Sequence, residues 1–171
     1  MEAVRLHGVR DLRLEEVPVP EIGPDDVLVQ VVAASMDGTD LELFNGRHVL
    51  SSKGAVAQGH EYAGRVVEVG PSVTRFRVGH RVTGPFGVNC EKCLFCRRGE
   101  RGHCARQAVF GVDRGGSWAD YMGVPERVLA RLPDEVTFED GALLCCILPT
   151  ILRGLDVSPI QHGGSVAVMG L

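Results

Sequence analysis

Four cysteines constrain this chain more than any other feature. Cys90, Cys93 and Cys96 stand at C-x2-C-x2-C spacing, and Cys104 follows eight positions later. Thiolates so placed can wrap one tetrahedral ion without a folded core behind them, and zinc favours such soft ligands. The segment between them, Arg97-Arg98-Gly99-Glu100-Arg101-Gly102-His103, is charged and glycine-rich and reads as an exposed lobe. Arg97, Arg98 and Arg101 near the sulfurs would lower the thiol pKa values and offset the charge of a four-thiolate centre. Two other readings use the same cysteines. Disulfides require an oxidising compartment, and Met1 to Leu14 carries charges throughout with no apolar signal segment. An iron–sulfur cluster shares the C-x2-C-x2-C run, but its usual C-x3-C-P end is missing. A structural zinc ion in a cytoplasmic protein is the expectation.

Composition narrows the class further. A length of 171 residues suits about one domain with a real core. Twenty-two glycines against six Phe, two Tyr and one Trp point to many tight turns. The net charge of −4 gives no evident hold on nucleic acid or an anionic membrane. Outside the lobe, basic residues gather only near Arg75 to Arg81, which reads as solvated surface. The longest apolar run, Gly141 to Leu152, is interrupted by Pro149 and Thr150 and is too short to cross a bilayer.

The pattern along the chain is mostly β. Residues 1–6 and 12–17 read as strands around a turn at Gly8 to Asp11, and Val27 to Ala34 as a buried strand. Asp37 to Phe44 suits a short helix capped by Asp37 or Thr39. Further strands are expected over Gln58–Val69, Arg81–Thr83, Trp118–Met122 and Arg127–Leu132, with the cysteine lobe interrupting the sheet over residues 87–106. Such spacing predicts an all-β barrel with irregular loops. After Pro133 the pattern turns helical. A helix starts at Thr137 to Asp140 and another covers Cys146 to Val157, and Ser165 to Leu171 reads as a buried strand running into Gly170. That last segment is either an ordinary strand or the first strand of a Rossmann unit.

The cysteine run resembles the structural zinc lobe of the zinc-dependent medium-chain dehydrogenases, the alcohol dehydrogenase-like family. A second stretch, Gly59-His60-Glu61-Tyr62-Ala63-Gly64-Arg65-Val66-Val67-Glu68-Val69-Gly70, resembles that family's G-H-E-x-x-G-x-V-x-x-x-G signature. The resemblance extends from the first strands to Leu171, including Val78-Gly79-His80-Arg81-Val82 and Gly115 to Tyr121. It implies a GroES-like irregular β-barrel with a few helices over residues 1–163. It also makes 164–171 the first strand of a truncated nucleotide-binding domain.

The resemblance further implies a second, catalytic zinc. His60 carries over as one ligand, with Glu61 either behind it or as a further ligand. Asp37-Gly38-Thr39-Asp40 stands where the family has Cys-Gly-Thr-Asp, so a carboxylate replaces a thiolate; Asp37 is then a ligand or only a helix cap. Aspartate here is similar to some sugar dehydrogenases of the family. Asp40 would orient His60 through its other ring nitrogen. The third ligand falls at Cys146, with Cys145 as core and the register open by one residue. Thr39 matches the hydroxyl that takes the alcohol proton. Where some members continue the relay through a histidine, this chain has Glu42; His48 is an alternative carrier or a solvated loop residue. Trp118 is expected in the core or a cleft wall.

Together these readings describe the catalytic domain of a zinc-dependent oxidoreductase. It would oxidise an alcohol, polyol or sugar hydroxyl by hydride transfer to NAD or NADP, which the missing domain would bind. The full-length protein is expected to be a homo-oligomer. The alternative is a standalone zinc-stabilised β-barrel module without dehydrogenase activity, its lobe serving as an interaction surface.

Overall fold

In this computed structural model, nine strands and four helices follow one another among the described residues. Residues 1–47, 56–158, 160 and 163–167 are described. β1 (Glu2–Gly8) and β2 (Asp11–Glu16) form an antiparallel hairpin. β3 (Asp26–Ser35) leads into helix α1 (Gly38–Phe44), and β4 (Glu61–Val69) and β5 (Arg81–Thr83) follow. β6 (Gly87–Val88), α2 (Leu94–Arg97) and β7 (Ala108–Val109) frame the cysteine lobe. β8 (Tyr121–Pro125), β9 (Ala130–Arg131), α3 (Phe138–Leu143) and α4 (Ile147–Val157) complete the order.

The central sheet has five strands in the order β8-β3-β4-β5-β9, flanked by the two-stranded sheets β1-β2 and β6-β7. Among the described residues these sheets do not close into a barrel, so the expected all-β barrel appears as three irregular sheets. Bulges explain part of this. The β3–β4 ladder shifts register between Leu28 and Val29 and again between Val31 and Ala33, which bends the strands. Gly64 makes the second bend feasible, because a Cβ there would lie 2.1 Å from the Gln30 carbonyl oxygen.

The core lies on one face of the central sheet. Val27, Val29, Tyr62, Val66, Val82, Phe110, Met122 and Val124 are buried together, with Tyr62 and Phe110 in an edge-to-face pair at 5.9 Å. A smaller cluster of Ala63, Leu132 and Ala142 seats α3 against the sheet. Arg81 holds the same corner, its guanidinium 4.4 Å from the Phe138 ring centroid and bonded to the Pro133 carbonyl at 2.7 Å.

Several boundaries differ from the sequence pattern. β4 begins at Glu61 rather than Gln58, because Gly59 adopts φ +82° and breaks the strand just before His60. The segment expected as a strand from Arg127 opens instead as a 3-10 turn over Glu126–Val128. β8 starts at Tyr121, and Trp118 precedes it, half-buried, with its indole N–H donating to the Ser35 carbonyl at 3.3 Å. Ser165–Ala167 carry no strand pairing, while Gly170 and Leu171 lie outside the described residues, as do His48 and His162. Among the described residues no helix is long and apolar enough to cross a membrane.

Gly64→Ala should therefore act as an overpacking change at the centre of the sheet. It should destabilise the fold by about 3 kcal/mol, read as a lower urea midpoint with unchanged slope.

Candidate metal centres

Two groups of metal-ligating side chains converge, one in the lobe and one at the end of the central sheet. In the lobe, the sulfurs of Cys90, Cys93, Cys96 and Cys104 all lie within 4.8 Å of one another. The Cys93–Cys96 and Cys90–Cys96 separations are 3.4 and 3.9 Å. Zinc–sulfur bonds of about 2.3 Å in a tetrahedron separate neighbouring sulfurs by about 3.8 Å, so the donor set fits such an ion. The same distances exclude disulfide bonds among these cysteines, which are all free.

The lobe tunes its thiols with backbone. The N–H groups of Lys92 and Cys93 pull the Cys90 thiol down to about 6. Cys96 is pushed up to about 12, first by burial and then by the sulfurs of Cys93 and Cys104. Such crowded sulfurs cannot all ionise without a cation among them. The arginines were expected to supply the lowering. Arg101 instead forms a two-armed pair with Glu91 at 3.1 and 3.2 Å, which ties the two ends of the lobe together.

The second group is assembled from three distant segments. Asp37, His60 and Cys146 place one ligand atom each within 4.8 Å of the others. Asp37 is the N-cap of α1, and its Oδ1 accepts from the Thr39 N–H at 2.7 Å and the Asp40 N–H at 3.4 Å. Its other oxygen, Oδ2, lies 3.2 Å from His60 Nε2. Asp40 closes the capping box, Oδ2 accepting from the Asp37 N–H at 3.0 Å. Its Oδ1 faces His60 Nδ1 at 3.7 Å, longer than a hydrogen bond. The two Asp37 oxygens thus divide, Oδ1 capping α1 and Oδ2 turned toward His60.

His60 is 3% exposed. Burial works against its cationic form, but Asp40 and Asp37 outweigh this and raise its pKa above the ordinary value. Its ring meets Phe86 edge-on at 6.3 Å. Gly59 lets the chain pass beneath Ser117 and Trp118, because a Cβ there would lie 2.3 Å from Trp118 Cδ1. Cys146 is half-buried, and burial, then the Asp37 charge, pushes its thiol up.

Cys145 points the other way. It is 2% exposed, and its Sγ accepts from the Tyr62 N–H at 3.1 Å and reaches the Tyr62 carbonyl at 3.1 Å and the Thr83 hydroxyl at 3.3 Å. These contacts seat it in the core and fix the register that leaves Cys146 facing His60.

Glu61 is fully buried and stands apart from the ligand group. Its Oε2 accepts from the Ser35 hydroxyl at 2.6 Å, and its Oε1 accepts from the Ile147 N–H at 3.2 Å. Glu42, at the position of a relay histidine, pairs with Arg47 at 2.9 Å.

A cavity of about 390 Å³ opens beside the group, lined by Thr39, Leu43, His60, Phe86, Val109, Val112, Cys146 and Thr150. Its walls are largely apolar, with His60, Cys146 and the two threonines Thr39 and Thr150 as their polar members. Phe86, Val109 and Val112 carry no motif, so only the fold reveals them. Ser35 is equally silent in sequence.

Comparison with known proteins gives a consistent picture. The family model of the alcohol dehydrogenase GroES-like domain matches residues 23–134. An L-threonine 3-dehydrogenase of Sinorhizobium medicae is 42% identical over 169 residues, covering 93% of this chain and 48% of that protein. A dehydrogenase of Sinorhizobium meliloti 1021, assigned as zinc-binding and crystallised with NADP, superposes with a TM-score of 0.86 at 36% identity, covering 94% of this chain and 46% of its own. An alcohol dehydrogenase of Thermus sp. ATN1 superposes with a TM-score of 0.83 at 31% identity, covering 91% of this chain and 47% of its own. The chain spans about half the length of the curated relatives it matches.

The division of labour between the Asp37 oxygens is separable by mutation. In metal-free protein, Asp37→Ala should cost about 1 kcal/mol through loss of the cap, and Asp37→Asn a few tenths, since the amide oxygen still accepts the Thr39 N–H. Chemical denaturation of both variants checks this; equal costs would mean that the charge facing His60, and not the cap, carries the stabilisation.

Proposed function

This chain belongs to the alcohol dehydrogenase GroES-like domain family, the zinc-dependent medium-chain dehydrogenases, and from that premise we propose that it is the catalytic part of an NAD(P)-dependent oxidoreductase acting on an alcohol, polyol or sugar hydroxyl. The observation that carries the proposal is the convergence of Asp37, His60 and Cys146 beside a largely apolar cavity that His60, Cys146 and Thr39 help to line.

The residues fit the group they are asked to hold. Tetrahedral zinc with oxygen and nitrogen ligands at about 2.0 to 2.1 Å would separate them by about 3.3 Å, close to the 3.2 Å between Asp37 Oδ2 and His60 Nε2. Three protein ligands leave one position for substrate, the arrangement of catalytic sites. A zinc ion held there supplies Lewis acidity toward a hydroxyl.

The other steps belong to the chain. Asp40 faces the far nitrogen of His60 and biases its tautomer and orientation. Thr39, fixed at the first turn of α1, is the group we assign to accept the substrate's hydroxyl proton and pass it outward. Leu43, Phe86, Val109 and Val112 exclude water from the reacting end and seat the carbon skeleton. Glu61 adds negative charge behind Cys146 without joining the ligand group. The lobe cysteines hold a structural ion that stabilises the segment between β6 and β7.

NAD or NADP would be bound by the region beginning near residue 164, which we assign as the first strand of a nucleotide-binding domain. The NADP carried by the Sinorhizobium meliloti structure supports a nicotinamide partner of either kind. The carboxylate at Asp37 supports a polyol or sugar among the substrates, and the relative acting on L-threonine supports oxidation of a hydroxyl.

Metal content tests the reading directly. Protein purified without chelator should carry about two zinc ions per chain, and an Asp37→Ala, His60→Ala double variant about one. Cys93→Ser should lose the lobe ion and keep the His60-dependent one. About one ion in both parent and double variant would overturn the catalytic-centre assignment. The isolated chain of 171 residues should reduce neither NAD nor NADP with any alcohol, and measurable turnover would overturn the assignment of cofactor binding to the region beyond it.

A further inference from the structure

Glu61 occupies an unusual place. It follows a proposed metal ligand directly in sequence, is fully buried, and still stands outside the ligand group. Two donors hold it elsewhere.

The first is the Ser35 hydroxyl, 2.6 Å from Oε2. Ser35 lies directly opposite Glu61 in the β3–β4 ladder, so the two side chains project from the same face of the sheet. The distance is that of a charge-assisted O–H···O bond, among the stronger kinds. The second is the Ile147 N–H, the first of α4, 3.2 Å from Oε1. That donor follows Cys146 in the chain, so the carboxylate is clamped between Ser35 at the end of β3 and the start of α4 beside Cys146.

We propose that Ser35 is a positioning residue that holds the Glu61 carboxylate off the metal and so keeps the fourth coordination position open to exogenous ligands. The inference rests on the assignment of Asp37, His60 and Cys146 as ligands and extends it to a residue that touches no ion. Without the hydroxyl, Oε2 would be left buried with no donor, a costly state for a charged oxygen. The nearest remedy is the cation beside His60. Glu61 would then become a fourth protein ligand and close the site.

Cobalt-substituted protein tests this without any cofactor or turnover, with azide as the probe of the open position. The cobalt visible spectrum and its change on azide titration are recorded for the parent, Ser35→Ala, Ser35→Thr, Glu61→Gln and the Ser35→Ala, Glu61→Gln double variant. The four-sulfur cobalt bands of the lobe serve as a folding control in each. Azide should bind the parent, bind Ser35→Ala about tenfold more weakly, and bind Ser35→Thr as it binds the parent. The double variant should recover parental azide binding, because an amide at 61 is a poor ligand. Parental azide binding by Ser35→Ala, or failure of the double variant to recover, would overturn the proposal. Absence of any His60-dependent cobalt band in the parent would instead overturn the ligand assignment, and the role of Ser35 with it.

Discussion

The pairing of β3 with β4 is the constraint on which the rest depends. Its register runs from Val27 opposite Val69 to Ser35 opposite Glu61. The near end builds the core, where Val27, Val29 and Val66 are fully or almost fully buried. The far end delivers chemistry: Asp37 lies two residues beyond Ser35, and His60 one residue before Glu61. A slip of one residue would turn every side chain of β4 to the opposite face. It would also separate Ser35 from Glu61 and take His60 away from the carboxylates of Asp37 and Asp40. The bulges and Gly64 are therefore functional geometry as much as strand geometry.

The two ligand groups differ in how far they can be read from sequence, and the reason is contact distance along the chain. The lobe is local. Its four cysteines fall between positions 90 and 104, so their spacing alone sets the geometry. The other group joins residues 37, 60 and 146, and no spacing rule connects them. Family resemblance brought these three to attention, and the fold shows why they meet. The resemblance places the ligand at Cys146 and Cys145 in the core but leaves the register open by one residue, since both cysteines suit a helical or core position. The Tyr62 backbone makes the choice, binding Cys145 through both its N–H and its carbonyl.

Other features were legible in type and wrong in extent. Asp37 to Phe44 reads in sequence as a short helix capped by Asp37 or Thr39, and the helix appears there as Gly38–Phe44 with Asp37 as its cap. The strand from Gln58 does not, because Gly59 takes a left-handed conformation with Trp118 packed closely against it. That contact spans 59 residues of chain and leaves no periodic trace. How the irregular sheets join was not legible for a related reason: short pairings such as β6–β7 and β5–β9 each involve only two registered pairs, too few for a sequence pattern to show. Ser35 is the instructive omission. A serine ending a strand looks like ordinary edge chemistry until the cross-strand register places a buried glutamate against it.

A common physical device links the two centres. Cys93 is the N-cap of α2 and accepts the Cys96 N–H through sulfur at 3.5 Å, while Asp37 is the N-cap of α1 and accepts the Thr39 N–H through oxygen. Cys146 stands immediately before α4, whose first N–H is taken by Glu61. Cys93, Asp37 and Glu61 thus each accept a hydrogen bond where a helix begins and its unpaired N–H groups point outward. These helices are short, so the benefit comes from the first-turn donors themselves more than from an extended dipole. Backbone donors are fixed by the fold and cost no side-chain entropy, whereas an arginine must be ordered to do the same work. This explains why the lobe arginines are free to pair with Glu91 or face solvent. It also explains how aspartate can stand at position 37: the α1 N-terminus asks only for an acceptor with a second lone-pair site to spare, and a carboxylate offers one oxygen to the helix and the other toward His60.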